Sequence, residues 1–192
     1  LGEKPTIERK YMKKHNEIQG WFNYPNAYDF LVSKVPDNGI FVECGAWLGS
    51  SSSYLCDIAK DRINVFIVDS WRGSENELTT NHKLATQTDI YKIFLDNMGE
   101  RKFTPIRKHS LEAVEDFEDE SCDVVYIDMD HRYEAVKNDI KHWISKVKTG
   151  GYIAGHDYAP YAKESVVKAV DDFFGENNVT VMDGNSWIHH KK

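Results

Sequence analysis

Between Gly39 and Ser52 the chain reads Gly-Ile-Phe-Val-Glu-Cys-Gly-Ala-Trp-Leu-Gly-Ser-Ser-Ser. An apolar run, Ile40 to Val42, ends in an acid, Glu43, and a loop carrying Gly45 and Gly49 leads into a helix-like run over residues 50–60. Strand, acid, glycine loop and helix in that order are the layout of a nucleotide-cofactor site at the carboxyl end of a parallel strand. Gly45 lets the backbone turn and approach a ligand, and Gly49 allows close packing where the helix begins. Ser50, Ser51 and Ser52 stand where they can cap its first amides. The spacing is E-x-G-x-x-x-G, not the dinucleotide G-x-G-x-x-G, and that turns the reading away from a pyrophosphate. An acid here repels phosphate and attracts an ammonium group.

Beyond this point strands and helices alternate. Residues 64–69, 103–108, 122–128 and 152–155 read as further strands, the last entered through a turn at Gly150-Gly151. Helical spacing runs through 89–99, 111–117, 133–147 and 165–174, with Val166, Val167, Val170, Phe173 and Phe174 inward in the last. Residues 179–182 and 186–190 form a terminal hairpin around Asp183-Gly184-Asn185. The pattern predicts an α/β fold, a Rossmann-like, doubly wound, mostly parallel sheet with an antiparallel strand near one edge. One domain fits the length, with residues 1–35 as an N-terminal arm or helical cap and 36–192 as the core. The arm ends in Trp21, Phe22 and Tyr24, which either tuck it onto the core or cover a pocket, and its aromatics could also serve a dimer contact. The polar stretch 70–88, with Arg72, His82 and Lys83, has the length of a functional loop.

By this reading Glu43, Asp69 and Asp128 all sit at strand ends, and Asp157 follows a fourth. Four acids on one rim are costly unless cations occupy it. The net charge of -7 argues against a broad phosphate-binding surface, hence against nucleic acid as main partner. No apolar run approaches the ~20 residues that span a membrane. Cys44, Cys56 and Cys122 lack C-x-x-C spacing and read as small buried residues, which points to a reducing cytoplasm.

The segments 41–51, 68–74, 90–98, 125–133 (Val-Tyr-Ile-Asp-Met-Asp-His-Arg-Tyr) and 150–158 (Gly-Gly-Tyr-Ile-Ala-Gly-His-Asp-Tyr) carry a resemblance. Together they make the chain resemble a class I S-adenosylmethionine (SAM) methyltransferase. More narrowly, it is similar to small bacterial and phage O-methyltransferases related to macrolide-sugar and catechol O-methyltransferases. The resemblance spans about residues 20–190 and implies a seven-stranded sheet with a reversed terminal strand. It implies that Glu43 and the loop Gly45, Ala46, Trp47 to Gly49 and Ser50 hold the methionine end of SAM. Asp69 would take the ribose hydroxyls, Ser70 and Trp71 would flank the adenine (Trp71 suits plain core packing equally well), and His109 and Ser110 would contact it. Asp128 would serve both cofactor and metal.

In the metal-dependent relatives, acids matching Asp128 and Asp157 are ligands of a divalent ion, and the base lies three positions after the first acid, at His131 here. The third ligand in those relatives is a carboxylate just before the second acid or an amide just after it. Here those neighbours are His156 and Tyr158. A histidine ligand shifts preference from magnesium toward manganese, iron or zinc; alternatively Asp130 substitutes, or the metal site has been lost. The resemblance thus implies O-methylation of a small hydroxylated acceptor such as a sugar or glycoside, with magnesium or manganese as helper. Two other functions compete: an NAD-dependent oxidoreductase, which Asp69 would suit but the missing glycine fingerprint opposes, and a nucleotide-binding module without catalysis.

Overall fold

The computed structural model describes residues 12–73 and 88–192. The first strand, β1 (Ile40–Cys44), lies at the centre of a sheet with β2 (Asn64–Asp69), β3 (Thr104–Arg107), β4 (Cys122–Ile127), β5 (Val147–Gly155), β6 (Thr180–Val181) and β7 (Trp187–His190). Seven strands stand in the order β3-β2-β1-β4-β5-β7-β6. The first five run parallel, and β7 is antiparallel to both of its neighbours. Chain order reverses between β1 and β4, so a crevice opens at their carboxyl ends.

The strands are apolar runs because both faces are covered. On one face Phe41, Val65, Ile67, Val124 and Tyr126 pack under α1 (Pro25–Lys34), α2 (Ser50–Ala59) and α3 (Ile90–Met98). On the other, Val42, Cys44, Val68, Val125 and Ile127 meet α4 (Ser110–Ala113), α5 (Tyr133–Lys146) and α6 (Lys168–Phe174), with Ile140 and Trp143 fully buried. Cys44, Cys56 and Cys122 are buried and free.

Local differences from the expected elements have physical reasons. Ser50, Ser51 and Ser52 do not cap α2; its first residue follows Gly49, at φ 93°, with no side-chain cap. The serines are buried and spend their hydroxyls elsewhere, Ser52 donating to Glu43 and Ser50 to the His15 carbonyl. Gly150-Gly151 is not a turn ahead of β5 but an irregularity inside it, where the register with β4 slips between Cys122 and Val124. The helix at 165–174 begins with a wide turn over Lys163–Val167, which shifts its phase, and Phe173 faces outward, 37% exposed. The start of α1 is capped from far away, Asp183 accepting from the Asn26 and Ala27 amides at 2.9 Å each.

Candidate functional site

A cavity of about 390 Å³ opens in the crevice beyond β1, β2 and β4, within the range of small-molecule sites. Its lining joins three parts of the chain: the arm (Gln19 to Phe22 and Tyr24), the glycine loop with its serines (Gly45 to Trp47, Ser50, Ser51), and the segment Asp128 to Arg132. Asp69, Ser70, Gly73 and His109 complete it. Gly45 adopts φ 97°, and a Cβ there would stand 1.8 Å from the Asp128 carbonyl oxygen. The loop can therefore cross β4 only with a hydrogen at that position. Gly49 does not line the cavity; a Cβ there would meet Met98 and Phe94 at 3.1 Å.

The acids divide in role. Glu43 is fully buried behind the loop, accepting from Tyr28 Oη at 2.7 Å and from Ser52 Oγ. Burial raises its carboxyl to about 7, against the lowering by hydrogen bonds from Ser52, Ser51 and Tyr28. Its side chain is not part of the lining, so it reaches a ligand only through the serine and backbone groups in front of it. Asp69 does line the cavity, and it organises the glycine loop: its Oδ2 accepts the Ala46 and Trp47 amides at 2.9 and 3.0 Å, its Oδ1 the Trp71 amide at 2.7 Å. Burial raises its pKa, and those amides pull it back down.

Trp71 and Ser110 stand outside the cavity. Trp71 is 2% exposed, packs on Tyr91 and Phe94 and donates its indole N–H to the Trp47 carbonyl. Ser110 Oγ accepts from the Trp143 indole at 2.7 Å in the core. Both Trp47 and Trp71 have φ 50°, and Asp157 has φ 61°. Left-handed backbone at non-glycine residues costs energy and gathers at functional sites.

Asp128, His131 and Asp157 converge at one end of the site. His131 Nε2 lies 3.1 Å from Asp128 Oδ1 and 2.9 Å from Asp157 Oδ2. Burial alone would lower the imidazole pKa, but hydrogen bonds and charge from the two aspartates outweigh it and raise it to about 11. The two aspartates thus favour the protonated imidazole. Burial would raise Asp157, yet His131, His156 and Tyr161 hold it well below the usual carboxylate range. His156 Nδ1 is 3.3 Å from Asp157 Oδ1 and 3.8 Å from Asp128 Oδ2. Asp130, the spare carboxylate, is taken by Arg132.

These donors fit a divalent ion. One atom from each of Asp128, His131 and Asp157 lies within 4.8 Å of the others, the one such group of three among the described residues. The grouping differs from the expected Asp128, His156 and Asp157 in which histidine it takes. His156 stands beside this group, its Nδ1 toward both aspartates, its Nε2 buried and its ring against Tyr24, 4.4 Å between centroids.

Sequence reasoning placed Tyr24 in the arm and Tyr161 at or under the pocket, but not their partners: the Tyr24 hydroxyl donates to Asp128 Oδ2 at 3.1 Å, and the Tyr161 hydroxyl donates to Asp157. The aromatic cluster before α1 was the available signal for Tyr24. Its arm both packs on the core, through Phe22 against Tyr28 and Tyr54, and walls the cavity. Of the stretch 70–88, residues 74–87, with His82 and Lys83, lie outside the described residues. Among those described, no helix is long and apolar enough to cross a membrane.

The methyltransferase domain family matches residues 42–158. An uncharacterized protein, y4gI, of Sinorhizobium fredii (strain NBRC 101917 / NGR234) is 32% identical over 161 residues, 80% of this chain. The chain spans only 16% of that relative's length. Among solved structures, the O-methyltransferase NovP superposes with TM-score 0.61 at 17% identity, over 88% of this chain and 79% of its own. CalS11, a TDP-rhamnose 3'-O-methyltransferase of calicheamicin biosynthesis, gives 0.57 at 13%, over 86% and 76%. An rRNA methylase of Streptococcus thermophilus gives 0.56 at 14%, over 95% and 100%. The fold is thus shared by enzymes whose acceptors differ widely. The family match runs over the glycine loop and both cluster aspartates, more than half of the chain, and the chain belongs to the SAM-dependent methyltransferase domain family.

Proposed function

We propose that this domain methylates a hydroxyl of a small acceptor, sugar-like or glycoside-like, with a divalent cation on Asp128 and Asp157 and His131 as general base. The observation that carries the reading is the Asp128–His131–Asp157 cluster at the end of the cofactor cavity. SAM supplies a methyl group on a sulfonium sulfur. The acceptor oxygen displaces it in line, the C–S bond breaking as the O–C bond forms, and the hydroxyl proton passes to His131.

Two carboxylates facing one imidazole explain why base and metal belong together. Without a cation, the aspartates bind His131 as an imidazolium. Asp128 and Asp157 would hold the cation, whose charge, when bound, would lower the pKa of a neighbouring hydroxyl and leave His131 to act as a neutral base. His156 Nδ1, which already faces both aspartates, is the third donor in this reading, and a nitrogen donor favours manganese over magnesium. The loop from Gly45 to Trp47 binds the methionine end of SAM, Asp69 keeps that loop in shape while offering its remaining lone pairs to the ribose, and His109 borders the adenine.

The test is transfer of labelled methyl from SAM to a panel of sugars, glycosides and ribosomal RNA. Label should appear on a small hydroxylated acceptor with manganese present and fall by a factor of ~10 or more with a chelator. Equal transfer in the chelator would remove the metal from the account. Label on RNA alone would remove the small acceptor.

A further inference from the structure

We infer that Tyr24 is a positioning residue for the cation site, fixing the rotation of Asp128 so that one carboxylate oxygen faces His131 and Asp157. The inference rests on the metal-assisted reading above and adds to it a residue more than a hundred positions away. Asp128 uses its two oxygens differently. Oδ2 accepts the Tyr24 hydroxyl at 3.1 Å, and Oδ1 meets His131 Nε2 at 3.1 Å. With Oδ2 occupied by a phenol, the carboxylate cannot turn about its last bond without breaking a charge-assisted hydrogen bond. The oxygen left for a cation is then the one already pointing at the cluster.

The phenol itself is held rigidly. Tyr24 is 3% exposed, and its ring lies nearly parallel to Tyr126, at 13° and 5.5 Å between centroids. Phe22 contacts one edge at 4.7 Å and His156 lies at 4.4 Å. Tyr126 belongs to β4, the strand that presents Asp128, and its own hydroxyl is bonded to Ser186 at 2.8 Å. The residue after Tyr24 is Pro25, the first of α1, so the backbone at this point is pinned as well. Ring, backbone and hydroxyl together make a fixed donor aimed at one oxygen. Partners that orient metal ligands typically contribute a factor of ~10–100 in metal affinity. Phe22 and Tyr24 also line the cavity, so the arm that closes the cofactor site is the same segment that sets the cation site.

The experiment compares the full chain with Tyr24→Phe, which keeps the ring and removes only the hydroxyl. Mn²⁺ and S-adenosylhomocysteine are each titrated by calorimetry. Tyr54→Phe serves as control, because Tyr54 contacts the same Phe22 but gives its hydroxyl to Asp29 at 3.0 Å. The expected result is Mn²⁺ affinity weaker by a factor of ~10 in Tyr24→Phe, with S-adenosylhomocysteine affinity unchanged and Tyr54→Phe like the parent. Mn²⁺ binding equal in parent and Tyr24→Phe overturns the positioning role while leaving the metal reading intact. Equal loss of both ligands in Tyr24→Phe also overturns it, since that is the mark of general packing. A parent chain that binds no Mn²⁺ overturns the metal reading and the inference together.

Discussion

Substituting His131 by alanine should lower methyl transfer by a factor of ~100 or more, the usual worth of a general base, while S-adenosylhomocysteine and Mn²⁺ still bind. The imidazole stands at the cluster end of the cavity, and the glycine loop and Asp69, the proposed cofactor wall, line it apart from that end. Its loss should therefore be felt in kcat rather than in cofactor affinity. The Mn²⁺ titration separates two uses of the same nitrogen. If His131 is the base, its removal leaves the aspartates free for the cation, and affinity holds or rises. If it is instead a ligand, as its 2.9 and 3.1 Å distances to Asp157 and Asp128 also permit, Mn²⁺ affinity falls together with transfer. Unchanged transfer would end the role of His131 in either form.

Gly45→Ala should be among the most destabilising single methyl additions in the molecule. Its φ of 97° lies outside what an L side chain readily takes, and the new Cβ would sit 1.8 Å from the Asp128 carbonyl oxygen. The left-handed conformation costs roughly 1–2 kcal/mol, and forcing a methyl into packed surroundings about 1–3 kcal/mol more. Together that is about 2–5 kcal/mol, a large part of the ~5–15 kcal/mol that keeps a domain folded. A loss of about 10 °C in the thermal midpoint is expected. Gly150→Ala is the matched control: φ is 83°, and nothing lies within 4 Å of the added carbon. It should lose only the conformational part, about 1 kcal/mol. Thermal melts of both variants decide the matter. Equal losses would mean that the approach of the loop to β4 is not what requires glycine at 45.

The sheet was legible in the sequence because strands buried on both faces must be apolar runs, as β1, β2 and β4 are. The rim acids were legible because each run stops at one. What could not be read was which way each acid turns. Glu43 lies within β1, one residue short of its end and beneath α1 and α2, so it is walled in, whereas Asp69 ends β2 and Asp128 follows β4, and both reach the cavity. Contacts between distant segments were equally hidden: Tyr24 with Asp128, and Asp183 with the start of α1. Neither leaves a periodicity or a spacing. Hydroxyl partners follow the same rule. Ser50 and Ser52 occupy good capping positions, but burial sends them to His15 and Glu43, and local propensity yields to tertiary packing. For Trp71 the sequence left adenine neighbour and core packing open, and its left-handed backbone places it in the core.

The central claim is that the crevice beyond β1 and β4 binds a SAM-type ligand and not a dinucleotide. Calorimetric titration of the full chain with S-adenosylhomocysteine, and separately with NAD, tests it most directly. The account predicts saturable one-to-one binding of S-adenosylhomocysteine and no heat with NAD, in keeping with a loop that lacks the dinucleotide G-x-G-x-x-G spacing. Binding of NAD, or no binding of S-adenosylhomocysteine with or without Mn²⁺, would contradict it.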